Sequence, residues 1–146
     1  MLFKNDETSL QLDIMNYEFP ADGGDPSSDD RNWLVLRCTW KNEDGELRKD
    51  SHSCLLTYEL REMTAGLKVL CAGIKDSYAS DFVEPYFEVA AQTEEEDVIR
   101  VAVSFFLPNT MDGEDTASVR CFMDKTQMKA LIDELERLCV KFPDRP

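Results

Sequence analysis

The chain has 146 residues, enough for one ordinary domain whose folding buries roughly 68–70% of the unfolded surface. Its formal charge is −14, from 30 acidic and 16 basic residues, yet 42% of the residues are hydrophobic and 10% are aromatic. This apolar content excludes a disordered acidic chain. The negative field disfavours binding to nucleic acid or to anionic membrane surfaces and favours a basic partner, although simple solubility is the commoner reason for acidity.

The five cysteines are odd in number and scattered singly, so no pair has the C-x-x-C spacing of a zinc or redox motif. They are Cys38, Cys54, Cys71, Cys121 and Cys139. We interpret them as buried free thiols in a reducing compartment. The N-terminal "MLFKNDETSL" lacks the apolar core of a signal peptide, and no apolar run approaches the ~20 residues of a membrane span. We therefore expect a cytoplasmic protein, with residues 1–8 as a flexible N-terminus.

The first half of the chain predicts three strands. Residues 10–19 alternate apolar and polar with a phase slip near Met15–Asn16, which indicates a strand with a bulge. Residues 33–41 are apolar on both faces and predict an interior strand. Asp44–Gly45 then predicts a tight hairpin, because glycine accepts the positive φ of such turns, and an antiparallel strand should follow over residues 46–56.

A helix is predicted after this third strand. Thr57 suits the N-cap, and Gly73 lies near the expected end. Glu59 and Glu62 flank Arg61 and are interpreted as ordinary surface charges, with Glu59 favourably placed against the helix dipole. The apolar residues recur at spacings of three and four: Leu60, Met63, Leu67 and Leu70.

Three further strands and a final helix are predicted in the second half. Residues 82–90 and 98–107 form a pair joined by the solvated loop "AQTEEED", and Pro85 requires that its strand lie at an edge or begin after the proline. A Gly- and Asp-containing loop, residues 108–118, precedes a short strand over residues 119–123. Asp124 and Gln127 form a capping box for a helix over residues 125–141, which Pro143 ends.

The order βββαβββα predicts an α+β fold: a single domain, residues 1–146, with an antiparallel sheet of about six strands and two helices packed against it. No internal repeat, low-complexity tract or linker divides the sequence. The last helix carries its apolar stripe at Met128, Leu131, Ile132, Leu135, Leu138 and Phe142.

Residues suited to catalysis or metal binding are sparse. His52 is the only histidine, and it could in principle activate Cys54 in a catalytic Cys-His pair. Strand alternation by itself places residues 52 and 54 on the same face, so a half-exposed strand histidine without a catalytic role is the simpler interpretation. Thirty acids make carboxylate pairs unavoidable, which keeps a carboxylate-dependent hydrolase as the third alternative. The loop "DGGDPSSDD" does not meet the ligand spacing of an EF-hand or of a phosphate-binding loop. We predict no enzyme, no cofactor and no metal site.

Candidate partner-binding residues are therefore the acids of the most acidic loops and one aromatic. Exposed aromatics ringed by acids are typical binding hot spots, and Trp40 near the hairpin is the better candidate for exposure. Asn32 and Trp33 are instead expected to be structural: an amide that satisfies loop backbone and a ring in the core. The predicted contact residues are Asp22, Asp25, Asp29, Asp30, Trp40, Glu94, Glu95 and Glu96.

Several short motifs, in this order, resemble the WapI-type bacterial immunity proteins. They are Tyr17-x-Phe19-Pro20, Asp30-x-Asn32-Trp33-Leu34, the run from Cys54 to Leu60 that enters the helix, Phe82-x-Glu84-Pro85 with Phe87-Glu88, and Phe142-Pro143-x-Arg145. The resemblance extends from about Leu10 to the C-terminus. The sequence departs from it in the long aspartate-rich loop, and in "KDSHS", where the family would have an Asp-Pro pair.

The resemblance implies a non-enzymatic protein that binds and occludes a cognate toxin domain and protects the cell from its own wall-associated contact-dependent toxin. Many such toxins are nucleases with basic clefts, which a −14 protein would complement in charge. We expect a monomer or weak homodimer. The alternative from another class is an acidic regulatory or scaffold domain with an unrelated partner.

Overall fold

The computed structural model describes residues 1–26, 29–107 and 116–146, which form two four-stranded antiparallel sheets and two long helices. Strands are neighbours in sequence order in both sheets. The first sheet comprises β1 (Leu2–Lys4), β2 (Ser9–Tyr17), β3 (Trp33–Lys41) and β4 (Leu47–Leu56), and is followed by α1 (Thr57–Cys71). The second comprises β5 (Ser77–Ala79), β6 (Phe87–Glu95), β7 (Val98–Phe106) and β8 (Thr116–Met123), and is followed by α2 (Lys125–Lys141).

The α+β class and the two helices are confirmed, but the single sheet of about six strands is wrong. Strands β1 and β5 have three residues each, too few for a periodic pattern to indicate them. The alternation of a strand also specifies its faces and not its neighbours, so it could not separate one sheet from two. Each half of the chain has four strands followed by a helix, although the sequence shows no internal repeat.

The N-terminus differs from the expected flexible segment. Residues 2–4 form an edge strand whose central side chain, Phe3, is buried in the core. The amino group of Met1 donates to the Leu12 carbonyl and to Glu134 Oε1, both at 2.8 Å. These contacts anchor the first residues to β2 and to α2.

The predicted features of the first sheet are confirmed. The bulge lies between Ile14 and Asn16, and β3 is an interior strand paired with β2 and β4. Gly45 has φ +81° in the hairpin, the left-handed conformation that glycine adopts without steric cost. A second register shift lies between Leu34 and Val35 in the pairing of β3 with β4.

The two helices begin in different ways. In α1 the N-cap is Leu56 and Thr57 is the first helical residue, so the predicted N-cap was one residue late. The reason is that the Glu59 carboxylate, not a threonine hydroxyl, satisfies the backbone at this terminus. In α2 the predicted capping box is confirmed: Asp124 Oδ1 accepts from the Gln127 amide at 2.7 Å, and Gln127 Oε1 accepts from the Asp124 amide at 2.9 Å.

The hairpin of β6 and β7 is longer than expected. Strand β6 begins after Pro85, one of the two predicted options, and continues to Glu95, through the residues assigned to a solvated loop. The turn is confined to Glu96 and Asp97, and Asp97 adopts φ +68°. Charge alone suggested a loop here, but exposed strand ends also carry charge. The predicted loop at 108–118 lies for the most part outside the described residues.

One cluster of buried side chains joins the elements. It contains the inner faces of both sheets and the apolar stripes of α1 and α2. The His52 ring on β4 lies 6.1 Å from the Phe105 ring on β7, and Asn5 Nδ2 donates to the Arg120 carbonyl at 2.8 Å. No helix within the described ranges is long and apolar enough to cross a membrane.

Candidate functional site

The aspartate loop between β2 and β3 is held in shape by one of its own acids. Asp30 Oδ2 accepts from the Asp25 amide at 3.1 Å. Gly24 has φ +77°, and a Cβ there would lie 2.9 Å from Asp30 Cβ, so glycine is required both by the conformation and by the close approach. Asp22, Asp25 and Asp29 are exposed, whereas Asp30 is half-buried. The four contact residues predicted in this loop are therefore one structural carboxylate, Asp30, and three exposed carboxylates.

The end of this loop lies beside the first turns of α1. Burial raises the pKa of the Tyr58 phenol, and the nearby Asp29, Glu59 and Glu62 carboxylates raise it further. Tyr58 is half-buried, and Asp29 and Glu62 are exposed. We call Asp29, Tyr58 and Glu62, together with Asp22 and Asp25, the acidic patch. It has the composition of a binding hot spot, a rigid ring with an acidic rim.

Tyr58 and Glu62 were not among the predicted contact residues. Their spacing of four residues places both on one face of a helix, which was the available signal. The sequence did not indicate that the aspartate loop reaches this helix, because residues 29 and 58 come together only through the pairing of β3 with β4.

Glu59 is not a surface charge, contrary to expectation. Its side chain is 2% exposed, Oε1 accepts from the Leu56 amide at 3.0 Å, and Oε2 accepts from the Val83 amide at 2.8 Å. Burial raises the pKa of Glu59, while the two backbone hydrogen bonds oppose that shift. The carboxylate thus joins the start of α1 to the segment before β6, where two of the family-like motifs meet.

Asn32 joins two other motifs. Its Oδ1 accepts from the Arg145 amide at 2.7 Å and from the Thr57 hydroxyl at 3.2 Å, and its Nδ2 donates to the Arg145 carbonyl at 3.1 Å. The expected structural role is confirmed, but the backbone it satisfies belongs to the C-terminal tail and not to the loop. Trp33 is half-buried and not in the core cluster, contrary to expectation.

Arg145 completes this junction. Its guanidinium donates to the Phe19 carbonyl at 2.9 Å, and its Cζ lies 3.4 Å from the centre of the Tyr17 ring. The Tyr17 hydroxyl in turn donates to the Pro143 carbonyl at 2.6 Å. The motif residues at the end of β2, before β3 and in the C-terminal tail, residues 142–146, therefore contact one another. These contacts fix the backbone beside the acidic patch.

The remaining predicted contact residues lie elsewhere. Trp40 is 8% exposed, so its predicted exposure is wrong: alternation places it with Leu34, Leu36 and Cys38 on the buried face of β3. Glu94, Glu95 and Glu96 are exposed at the β6–β7 hairpin of the second sheet, with Glu94 paired to Arg100 at 2.8 Å. They belong to a different sheet from the aspartate loop.

The geometry of His52 and Cys54 does not favour nucleophilic catalysis. Cys54 is fully buried, and desolvation, followed by Glu59 and Glu84, raises its pKa to about 12, so it is a neutral thiol. The His52 ring is half-buried and stacks on Tyr86 with 4.5 Å between ring centres. Within the described ranges, no group of three or more His, Cys, Asp or Glu side chains is arranged to hold a metal ion.

Comparison with known families identifies the class of protein. The chain matches the model of the immunity protein WapI-like family over residues 1–143. It therefore belongs to this family of immunity proteins, as the order of the motifs indicated. A comparison with curated proteins finds no significant match.

Proposed function

We propose that this protein is a non-enzymatic, cytoplasmic immunity protein that binds a cognate toxin domain and blocks its active surface. The observation that carries the proposal is the acidic patch of a family member of charge −14: exposed Asp29 and Glu62 lie near Tyr58, and exposed Asp22 and Asp25 belong to the same loop as Asp29. Carboxylates around an aromatic ring favour a basic partner, such as a nuclease with a cationic cleft.

A binding function, without catalysis, accounts for the arrangement of the acidic patch and of Glu59. The buried carboxylate of Glu59 has both oxygens engaged by backbone amides, so it is not positioned for acid–base chemistry on a substrate. Occupation of a cationic cleft by the acidic patch would exclude a nucleic-acid substrate by charge and by volume. Cognate recognition would then depend on the patch, while the junction of Asn32 and Arg145 holds its frame.

Where the adjacent gene encodes a large secreted protein with a C-terminal toxin domain, the test is co-expression with that domain. The proposal requires that the protein restores growth and co-purifies with that domain. Growth arrest that persists despite folded, well-expressed protein would refute the cognate pairing. A matched experiment uses the toxin domain of a different gene cluster, which the protein should fail to neutralise.

A further inference from the structure

A concave site lies on the outer face of the second sheet. Glu88 on β6 pairs with Ser104 on β7, and Phe106 on β7 pairs with Thr116 on β8. The Phe106 amide donates to the Tyr86 carbonyl at 2.7 Å, which places Tyr86 opposite Phe106 at the same end of the sheet. The concave site has a volume of about 480 Å³ and is lined by Pro85, Tyr86, Glu88, Ser104, Phe106 and Thr116.

Two aromatic rings form one wall of this site. The centres of the Tyr86 and Phe106 rings are 5.4 Å apart, with 45° between the ring planes. Tyr86 also stacks on His52 of the first sheet, which restricts the motion of its ring. Phe106 is 36% exposed. The stacking on His52 therefore holds the Tyr86 ring, and the Phe106 ring is accessible to a side chain from outside.

The polar side chains that line the site are one carboxylate, Glu88, and two neutral hydroxyls, Ser104 and Thr116. Glu88 is exposed and makes no ion pair among the described residues, and Ser104 and Thr116 add hydroxyls that can accept hydrogen bonds. Among the described residues that line the site, none is basic. A planar cation that can stack on a ring and donate to a carboxylate matches both halves of this lining.

We infer that this concave site binds an arginine side chain presented by the toxin domain, stacked against Tyr86 and Phe106 with its guanidinium directed to Glu88. The inference rests on the proposed function, and it adds a defined anchor to the steering by the acidic patch. Arginine is favoured over lysine because its flat, weakly hydrated guanidinium stacks on aromatic faces and donates in a fork. Buried arginine anchors are common among interface hot spots.

The test uses a small probe and needs no toxin. N-acetyl-L-arginine amide is titrated into the ¹⁵N-labelled full-length protein, with N-acetyl-L-citrulline amide as the neutral isostere and N-acetyl-L-lysine amide as the compact cation. We expect saturable shift changes at the amides of Glu88, Ser104, Phe106 and Thr116 with the arginine probe, and none with citrulline. Equal saturation by lysine amide would overturn the assignment to arginine.

Two pairs of variants separate the site from general electrostatics. Glu88→Gln should raise the Kd of the arginine probe about two- to fivefold, whereas Glu94→Gln, with the same charge change on the same strand, should leave it unchanged. Phe106→Leu keeps an apolar side chain but removes the ring face, and should also weaken binding about two- to fivefold. Its control is Phe122→Leu on β8, where the ring is 66% exposed but outside the site.

Different outcomes would refute the arginine site and the proposed function. Absent or scattered shift changes with the arginine probe, or equal weakening by the two control variants, would overturn the arginine site even if the toxin is neutralised. Localised probe binding together with failed growth rescue would overturn the cognate function and leave the arginine site in place.

Discussion

Glu59 is a buried acid that joins two separate backbone segments by hydrogen bonds. Its two oxygens accept from the amides of Leu56 and Val83, and its side chain lies in the core. Removal of such an acceptor leaves buried N–H groups without a partner, which costs more than the net worth of a hydrogen bond. Glu59 should therefore contribute more to stability than any surface glutamate of α1.

Glu59→Ala should lower the free energy of unfolding by about 2–4 kcal/mol, because two charge-assisted hydrogen bonds are lost and a cavity is left. Urea unfolding measures this value. The matched control is Glu62→Ala, which removes the same charge from the exposed face of the same helix and should change stability by less than about 0.5 kcal/mol. Similar effects of the two variants would contradict the buried role of Glu59.

The raised pKa of Glu59 predicts a pH dependence of stability. The folded state holds this proton more tightly than the unfolded state, so the stability it contributes is present below the ordinary pKa of 4.5 and is lost as pH rises through the raised value. Glu59→Gln cannot ionise and lacks this component. The stability of the wild type relative to this variant should therefore decline as pH rises from below 4.5 towards neutrality. Unfolding curves at a series of pH values measure the difference, and a constant or increasing difference would refute it.

Contacts at the ends of the strands and helices, and not only packing between their faces, connect the elements of the fold. Asn32, at the end of the 3₁₀ helix Asp29–Asn32, binds the backbone of Arg145, and Arg145 lies over Tyr17 at the end of β2. Arg61 on α1 also forms an ion pair with Asp144 of the tail. The tail after α2 thus connects the two long helices to the first sheet, next to the acidic patch.

Asn32→Ala should lower the free energy of unfolding by roughly 2–3 kcal/mol, since it removes three hydrogen bonds from a partly buried junction. It should also speed hydrogen exchange at the Arg145 amide, which loses its acceptor. Asn16→Ala is the control, because the side chain of exposed Asn16 accepts, within the described ranges, only from the adjacent Tyr17 amide. Unchanged exchange at Arg145 would show that the junction does not depend on Asn32.

Across the whole molecule, two separate groups of exposed acids are candidate contact surfaces: the acidic patch beside α1 and the hairpin glutamates of the second sheet. Charge at a contact surface accelerates association and makes it salt-dependent, whereas the same charge at a distance is screened within about 10 Å at 0.1 M salt. The two groups can therefore be distinguished by kinetics.

The triple variant Asp22→Asn, Asp25→Asn and Asp29→Asn should slow association with a basic toxin domain roughly threefold or more at low salt, and should flatten the salt dependence. Asp30 is left in place because it closes the loop. The control is Glu94→Gln, Glu95→Gln and Glu96→Gln, which removes three charges from the hairpin. Surface plasmon resonance over a salt series measures both rates, and a larger effect of the hairpin variant would move the contact surface to the second sheet.

The periodicity of the sequence determined most of the helices and strands. Strand β3, helix α2 with its capping box, and the bulge of β2 were all predicted because local patterns of apolar residues and caps specify them. The order of the short motifs also determined the family. Local signals of this kind need no knowledge of which segments are neighbours.

Tertiary structure alone decided the rest. The pairing of β3 with β4 brings Asp29 to Tyr58, and the segment before β6 supplies the Val83 amide that makes Glu59 a buried residue. Trp40 is buried because its own face of β3, which it shares with Leu36 and Cys38, belongs to the core. Burial and charge at a given residue depend on segments distant in the chain, so the sequence determined the elements and the family, while the contact surface followed only from how the two sheets and the tail pack.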